Sequence, residues 1–117
     1  MPPRAAGLRC VMAQEIVSAC LDVPVAEIVQ PQRSLAEICL ARHVAMYLAH
    51  VIFQVPLASI APNFGRDRSS IGHAVRRIED QREDRDFDAL LSRLERLATS
   101  CAELMPPPAQ DLDGDPR

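Results

Sequence analysis

Lysine is missing from this 117-residue chain, and all 13 of its basic residues are arginine. A chain without lysine holds no Gly-x-x-x-x-Gly-Lys-Ser/Thr loop, which excludes a P-loop site for nucleotide phosphates. Tryptophan is also missing, and aromatic residues make up 3% of the total. The core must then be built from Leu, Ile, Val, Ala and Met, a set that suits helix-on-helix packing better than a β-sandwich. No run of about 18 apolar residues is present to span a membrane, because Arg42 and His43 interrupt the most apolar segment. No Cys-x-x-Cys occurs among Cys10, Cys20, Cys39 and Cys101. Cys20, Cys39 and Cys101 fall on apolar helical stripes, where a reduced cysteine acts as a small hydrophobe, so buried thiols are expected and neither zinc nor a disulfide. Met1-Pro2-Pro3-Arg4 leads into no uninterrupted apolar stretch of the signal-peptide kind. His43, His50 and His73 have no carboxylate or nucleophile at a catalytic spacing. These absences predict a soluble, cytoplasmic, single-domain protein that is not an enzyme and holds no cofactor or metal.

What the chain does have is unevenly distributed. The formal net charge is −3, yet Pro31 to Arg77 carries six arginines against Glu37 and Asp67, a local net of +4. Gln81 to Arg117 carries five arginines against nine acids, a local net of −4. Where charge sits matters more for a partner than its sum, and the middle of the chain is basic.

Apolar spacing and breakers predict an all-α chain. Residues 1–8 read as a disordered start. A first helix covers Arg9 to Leu21, with Val11, Met12, Ile16, Val17, Cys20 and Leu21 as its apolar set. Asp22-Val23-Pro24 breaks it, and Val25 to Val29 form a short second helix with Pro24 at its first turn. Ser34-Leu35-Ala36-Glu37 has the pattern of a capping box and opens a long helix to Phe53, with Ile38, Ala41, Ala45, Leu48 and Ile52 facing inward. A short helix spans Leu57 to Phe64, where Pro62 removes a hydrogen bond from the last turn. A last amphipathic helix covers about Phe87 to Met105 within a segment bounded at 81–105, and the acidic residues 106–117 read as disordered.

The segment from Phe64 to Glu79 is the most informative. Gly65 ends one helix and Asp67 is placed to cap the next. On that next helix Ile71, Ala74, Val75 and Ile78 recur at helical spacing and point inward. Arg68, Ser69, Gly72, His73, Arg76 and Arg77 are expected on the outer side. Fork-shaped donors, hydroxyls and one position without a side chain are what a helix needs to lie in a DNA major groove. The plainer alternative is a solvated basic face.

These residues resemble a known family. Ala13 to Glu79 is similar to the C-terminal DNA-binding domain (domain IV) of the bacterial replication initiator DnaA, a helix-turn-helix module related to the Trp-repressor fold. The resemblance rests on the short helix pair before a basic loop and on Ala41-Arg42-His43-Val44-Ala45-Met46-Tyr47-Leu48, which is similar to the family's Arg-Gln-x-Ala-Met run. It rests above all on Gly65-Arg66-Asp67-Arg68-Ser69-Ser70-Ile71-Gly72-His73-Ala74, which resembles the family's Gly-Gly-Arg-Asp-His-Thr-Thr signature. The resemblance implies binding to double-stranded DNA in the control of replication initiation, at initiator boxes or in competition for them, or in transcription, and a nucleoid-associated protein. Asp67, Arg68, Ser69, Ser70 and His73 are then expected at base edges, and Arg42, His43, His50, Arg66, Arg76 and Arg77 at the backbone. Leu57 would present helix N-terminal amides to phosphate, and Arg33 would enter the minor groove. The chain departs from the signature in lacking one glycine, in carrying Arg68 for histidine, and in Ser69 and Ser70 for threonines. It resembles the DNA-binding domain standing alone, without the ATPase domain, and extended by a further helix. An adaptor that docks on the initiator machinery or its regulators through that last helix, binding little DNA, is the alternative reading.

Overall fold

A computed structural model describes residues 1–30 and 35–106. Six helices follow one another: α1 (Pro3–Leu21), α2 (Val25–Ile28), α3 (Ala36–Val51), α4 (Leu57–Phe64), α5 (Arg68–Gln81) and α6 (Arg85–Leu104). No strand occurs among the described residues. Helix α3 is central, packing against α1, α2, α4 and α5, while α6 lies along α1. Centrality shows in the accessibility of α3: from Val44 to Ala49 every residue is buried, not the expected stripe alone.

The first helix begins six residues before the sequence pattern places it, so residues 3–8 are helical rather than disordered. Pro3 stands at the first helical position, where a missing N–H costs nothing. Ala6 is buried, and a cleft shared by Pro3, Ala6, Ala58 and Pro62 marks where this turn meets α4. Tertiary packing against α4, not local propensity, orders it. The buried face is rotated accordingly. Cys10 and Ala13 are fully covered, whereas Val11 and Cys20 are exposed. Cys10 is therefore the buried thiol, and burial pushes it up to about 12. Cys39 and Cys101 are half-buried, and none of the four cysteines forms a disulfide.

The α3 N-cap is Leu35, with no side-chain cap. Ser34, the residue expected to cap it, lies outside the described residues, as do Arg33 and residues 107–117. Glu37 remains in the first turn, where a carboxylate suits the positive end of the helix dipole. Around Pro62 in α4, side chains bond two backbone carbonyls. Asn63 Nδ2 donates to the Ser59 carbonyl at 2.9 Å, and buried Gln14 Nε2 donates to the Asn63 carbonyl at 3.2 Å.

Helix α6 starts at Asp84, whose Oδ1 accepts from the Phe87 amide at 3.0 Å. Leu91, Leu94 and Ala98 are buried, while Leu97 and Leu104 stay exposed. Its apolar face is thus largely used on its own domain. A polar cluster pins it further. Arg82 Nη1 donates to Glu95 Oε2 at 2.8 Å and to the Tyr47 hydroxyl at 2.9 Å, and its Nε donates to Asp88 Oδ1 at 2.6 Å. The Tyr47 hydroxyl in turn donates to Glu95 Oε2 at 3.1 Å.

Candidate nucleic-acid interface

The α4–turn–α5 unit is a helix-turn-helix, and each part of its geometry follows from its residues. Gly65 ends α4 with φ 62°, a left-handed conformation that glycine adopts without a Cβ penalty. The Arg66 amide then donates back to the Ala61 carbonyl at 3.0 Å. Asp67 is the N-cap of α5, and its Oδ1 accepts from the Ser70 amide at 2.8 Å. That bond, with Arg66 nearby, holds the Asp67 carboxyl below the usual carboxylate range. Asp67 therefore sets where the helix starts, and one of its oxygens is committed to that task.

Helix α5 divides as its spacing predicts. Ile71, Ala74, Val75 and Ile78 are buried, and Arg68, Ser69, Ser70, His73, Arg76 and Arg77 are exposed. Gly72 is the exception. It is buried rather than outward-facing, since Leu57 lies against it and the Arg76 guanidinium covers it. Half-buried Leu57 of α4 packs on this side of α5, with ordinary contact distance left for a Cβ at position 72. The first turn of α4, which Leu57 opens, has no side-chain cap on its amides.

A cleft of about 370 Å³ lies between α3 and α5, lined by Glu37, Cys39, His43, Arg77 and Gln81 among others. His43 is half-buried there, and its imidazole is held below the usual histidine range. Burial is the largest cause, and the charges of Arg77, Arg42, Arg66 and His73 add to it. The Arg66 Nε is buried without a hydrogen-bond partner among the described residues. None of Arg66, Arg68, Arg76 or Arg77 sits in an ion pair among the described residues. Cleft-lining Gln81 was not singled out from the sequence, although its i, i+4 spacing from Arg77 puts both on one side of α5.

Two expected backbone contacts are placed otherwise. Arg42 is only 2% exposed. Its Nε donates to the Ile28 carbonyl and its Nη2 to the Glu27 carbonyl, both at 2.9 Å. The guanidinium closes the end of α2, and burial, then Arg66, lowers its pKa. It is a structural cation, which corrects its assignment to the DNA-facing set. His50 is half-buried with Nδ1 2.9 Å from the Val55 carbonyl. A carbonyl only accepts, so Nδ1 carries the proton and only Nε2 can face a ligand.

Comparison with known proteins agrees with this geometry. A family model described as the bacterial dnaA protein helix-turn-helix matches residues 12–78, more than half of the chain. The chromosomal replication initiator protein DnaA of Methylacidiphilum infernorum is 35% identical over 91 residues, covering 76% of this chain and 20% of that protein. The protein of the same name from Bordetella pertussis is 41% identical over 70 residues, covering 59% of this chain and 15% of that protein. The chain thus spans a fifth or less of the length of these relatives. A crystal structure of a DNA replication initiation factor superposes with a TM-score of 0.75 at 28% identity, covering 85% of this chain and 30% of that one. The segment matched is a helix-turn-helix, not a catalytic unit. Among the described residues no helix is long and apolar enough to cross a membrane. Built on a glycine turn, an aspartate cap and a basic outward α5, this chain belongs to the bacterial DnaA helix-turn-helix family.

Proposed function

We propose that the chain binds double-stranded DNA with α5 in the major groove and acts in the control of replication initiation, by occupying or competing for initiator boxes. The observation that carries this reading is the outer side of α5 with the adjoining turn. It presents Arg66, Arg68, His73, Arg76 and Arg77 with no carboxylate paired to them among the described residues. Arg68, Ser69 and Ser70 in the exposed first turn are the base-reading candidates, with His73 one turn on. Arginine can hold guanine O6 and N7 bidentately, whereas serine lacks the methyl with which threonine contacts thymine. The expected preference is a site with a guanine step opposite Arg68. His43, Arg66, Arg76 and Arg77 serve the phosphates, along with His50 Nε2 and the first amides of α4 at Leu57. Arg33, outside the described residues, remains a minor-groove candidate.

An adaptor role for α6 draws less support, because Leu91, Leu94 and Ala98 are already buried within the domain. In vitro selection of bound duplexes followed by salt titration tests the DNA reading. The affinity is expected to fall with salt at a slope equivalent to about four to six neutralised phosphates. Arg68→Ala is expected to cost about 1–3 kcal/mol of discrimination at one base pair. A flat salt response, or selection that enriches nothing and is unchanged by Arg68→Ala, would sink it.

A further inference from the structure

We propose that the acidic segment of this chain after Pro106, residues 107–117, lies across the outer face of α5 and competes with DNA for it. The contact itself follows from the chain's own charges, and its regulatory meaning rests on the DNA-binding reading above. The face is unpartnered. Arg68, Ser69, His73, Arg76 and Arg77 are exposed, and no arginine of this set sits in an ion pair among the described residues. Asp67, at the start of the helix, is committed to the Ser70 amide at 2.8 Å. Glu79 and Asp80, in the last turn of α5, form no ion pair with these arginines. The segment after Pro106 is the complement in charge: it carries Asp111, Asp113 and Asp115 against the single cation Arg117.

The segment starts from a fixed point. Arg9 Nη2 donates to the Pro106 carbonyl at 3.1 Å, while Nη1 of the same guanidinium donates to the Phe53 carbonyl at 3.5 Å. The chain therefore leaves the domain beside the end of α3, close to where α4 begins at Leu57. Leu57 in turn lies against position 72 of α5, as does Arg76 Nη1. Eleven residues follow Pro106, and at about 3.3–3.6 Å each they reach roughly 36–40 Å. That exceeds the two shorter dimensions of the molecule, 28 and 24 Å. The spacing of charge matches as well. Alternate residues of an extended segment share a side, so Asp111, Asp113 and Asp115 would line one side over about 13 Å. Arg68 and Arg76 lie about 12 Å apart along the helix axis, with His73 between them. A short tether supplies an effective concentration on the order of millimolar, so weak, screened ion pairs suffice for partial occupancy.

The test compares the full chain with the triple variant Asp111→Asn, Asp113→Asn, Asp115→Asn. Without DNA, the backbone amide resonances of the two chains are expected to differ at residues 68–77. Those differences should fade toward about 1 M salt, where charges are screened within about 3 Å. With a short mixed-sequence duplex at low salt, where phosphate contacts suffice for binding, the variant is expected to bind about three- to tenfold tighter. That is the gain for a segment covering about 70–90% of the faces, and it should shrink as salt rises. Amide differences confined to Arg93 and Arg96 of α6, or to the residues after Leu104, put the segment elsewhere and overturn the proposal. Tighter DNA binding with no difference at α5 reflects only lost repulsion between the segment and phosphates, and overturns it too. So does an unchanged affinity. If neither chain binds DNA, the DNA reading fails, while the amide resonances still decide whether the segment lies on α5.

Discussion

The outer face of α5 and the residue that ends the helix both carry arginine and use it in opposite ways. Just beyond the C-terminal end, Arg82 is saturated: Glu95, Asp88, Tyr47 and Ser92 accept from all three of its nitrogens. From the turn before α5 along its outer face, Arg66, Arg68, Arg76 and Arg77 occur with His73, and none of them sits in an ion pair among the described residues. Mutual repulsion of like charges opposes folding, and a fold keeps such a face only where something else compensates. The contrast separates arginines that hold the protein together from arginines available to an anion. It also places Arg42, which belongs with Arg82 by its bonding although it lies close to the basic face.

Breaking the structural class is expected to have the largest effect. Arg42→Ala leaves the Glu27 and Ile28 carbonyls unmet inside the protein, for a loss of about 2–4 kcal/mol of stability by denaturant melts. Arg42→Lys separates the roles. If Arg42 is structural, the salt slope of DNA binding stays the same in the fraction that folds, and a slope reduced by about one would return it to the phosphate-binding set. Next comes Arg82→Ala, which removes a cation from four acceptor residues around the α5–α6 junction and is expected to cost about 1.5–3 kcal/mol. Amide hydrogen exchange should show α6 loosening first, with the outer face of α5 unaffected. Equal loosening at Arg68–Ser70 would erase the distinction between Arg82 and the outward arginines. The smallest effect is expected at Gly72, beneath Arg76. A Cβ there meets Arg76 Nη1 and Leu57 Cδ1 at 3.7 Å, ordinary contact distances. Gly72→Ala is therefore expected to raise stability by about 0.5–1 kcal/mol through helix propensity, with DNA affinity unchanged. A fall in affinity would mean that the groove approaches Gly72 after all.

Much of this was legible before the fold was seen, and the reasons are local. The limits of α4 and the start of α5 follow from Gly65 and Asp67, because a left-handed turn and a carboxylate cap act within a few residues of themselves. The inward set Ile71, Ala74, Val75 and Ile78 follows from helical period. Gly72 was misplaced because its neighbour is Leu57, on another helix, which no periodicity of α5 encodes. The first turn of α1 was read as disordered because residues 1–8 have little helix signal of their own, while α4 supplies the surface that orders them. Arg42 was assigned to DNA because an arginine in a basic segment looks the same in sequence whether its fork meets phosphate or the end of a helix.

The sequence by itself therefore determined the class of fold, the order of the helices, the cap that begins α5, and the concentration of positive charge between Pro31 and Arg77. All of these depend on neighbours a few residues away or on composition. The tertiary structure alone decided which cations are available. Packing buried Arg42, occupied Arg82, committed one nitrogen of His50, and set His43 of α3 and Arg77 of α5 on one cleft. Availability of a charge depends on what lies across the fold from it, and that information is carried by the packing of helices distant in the chain.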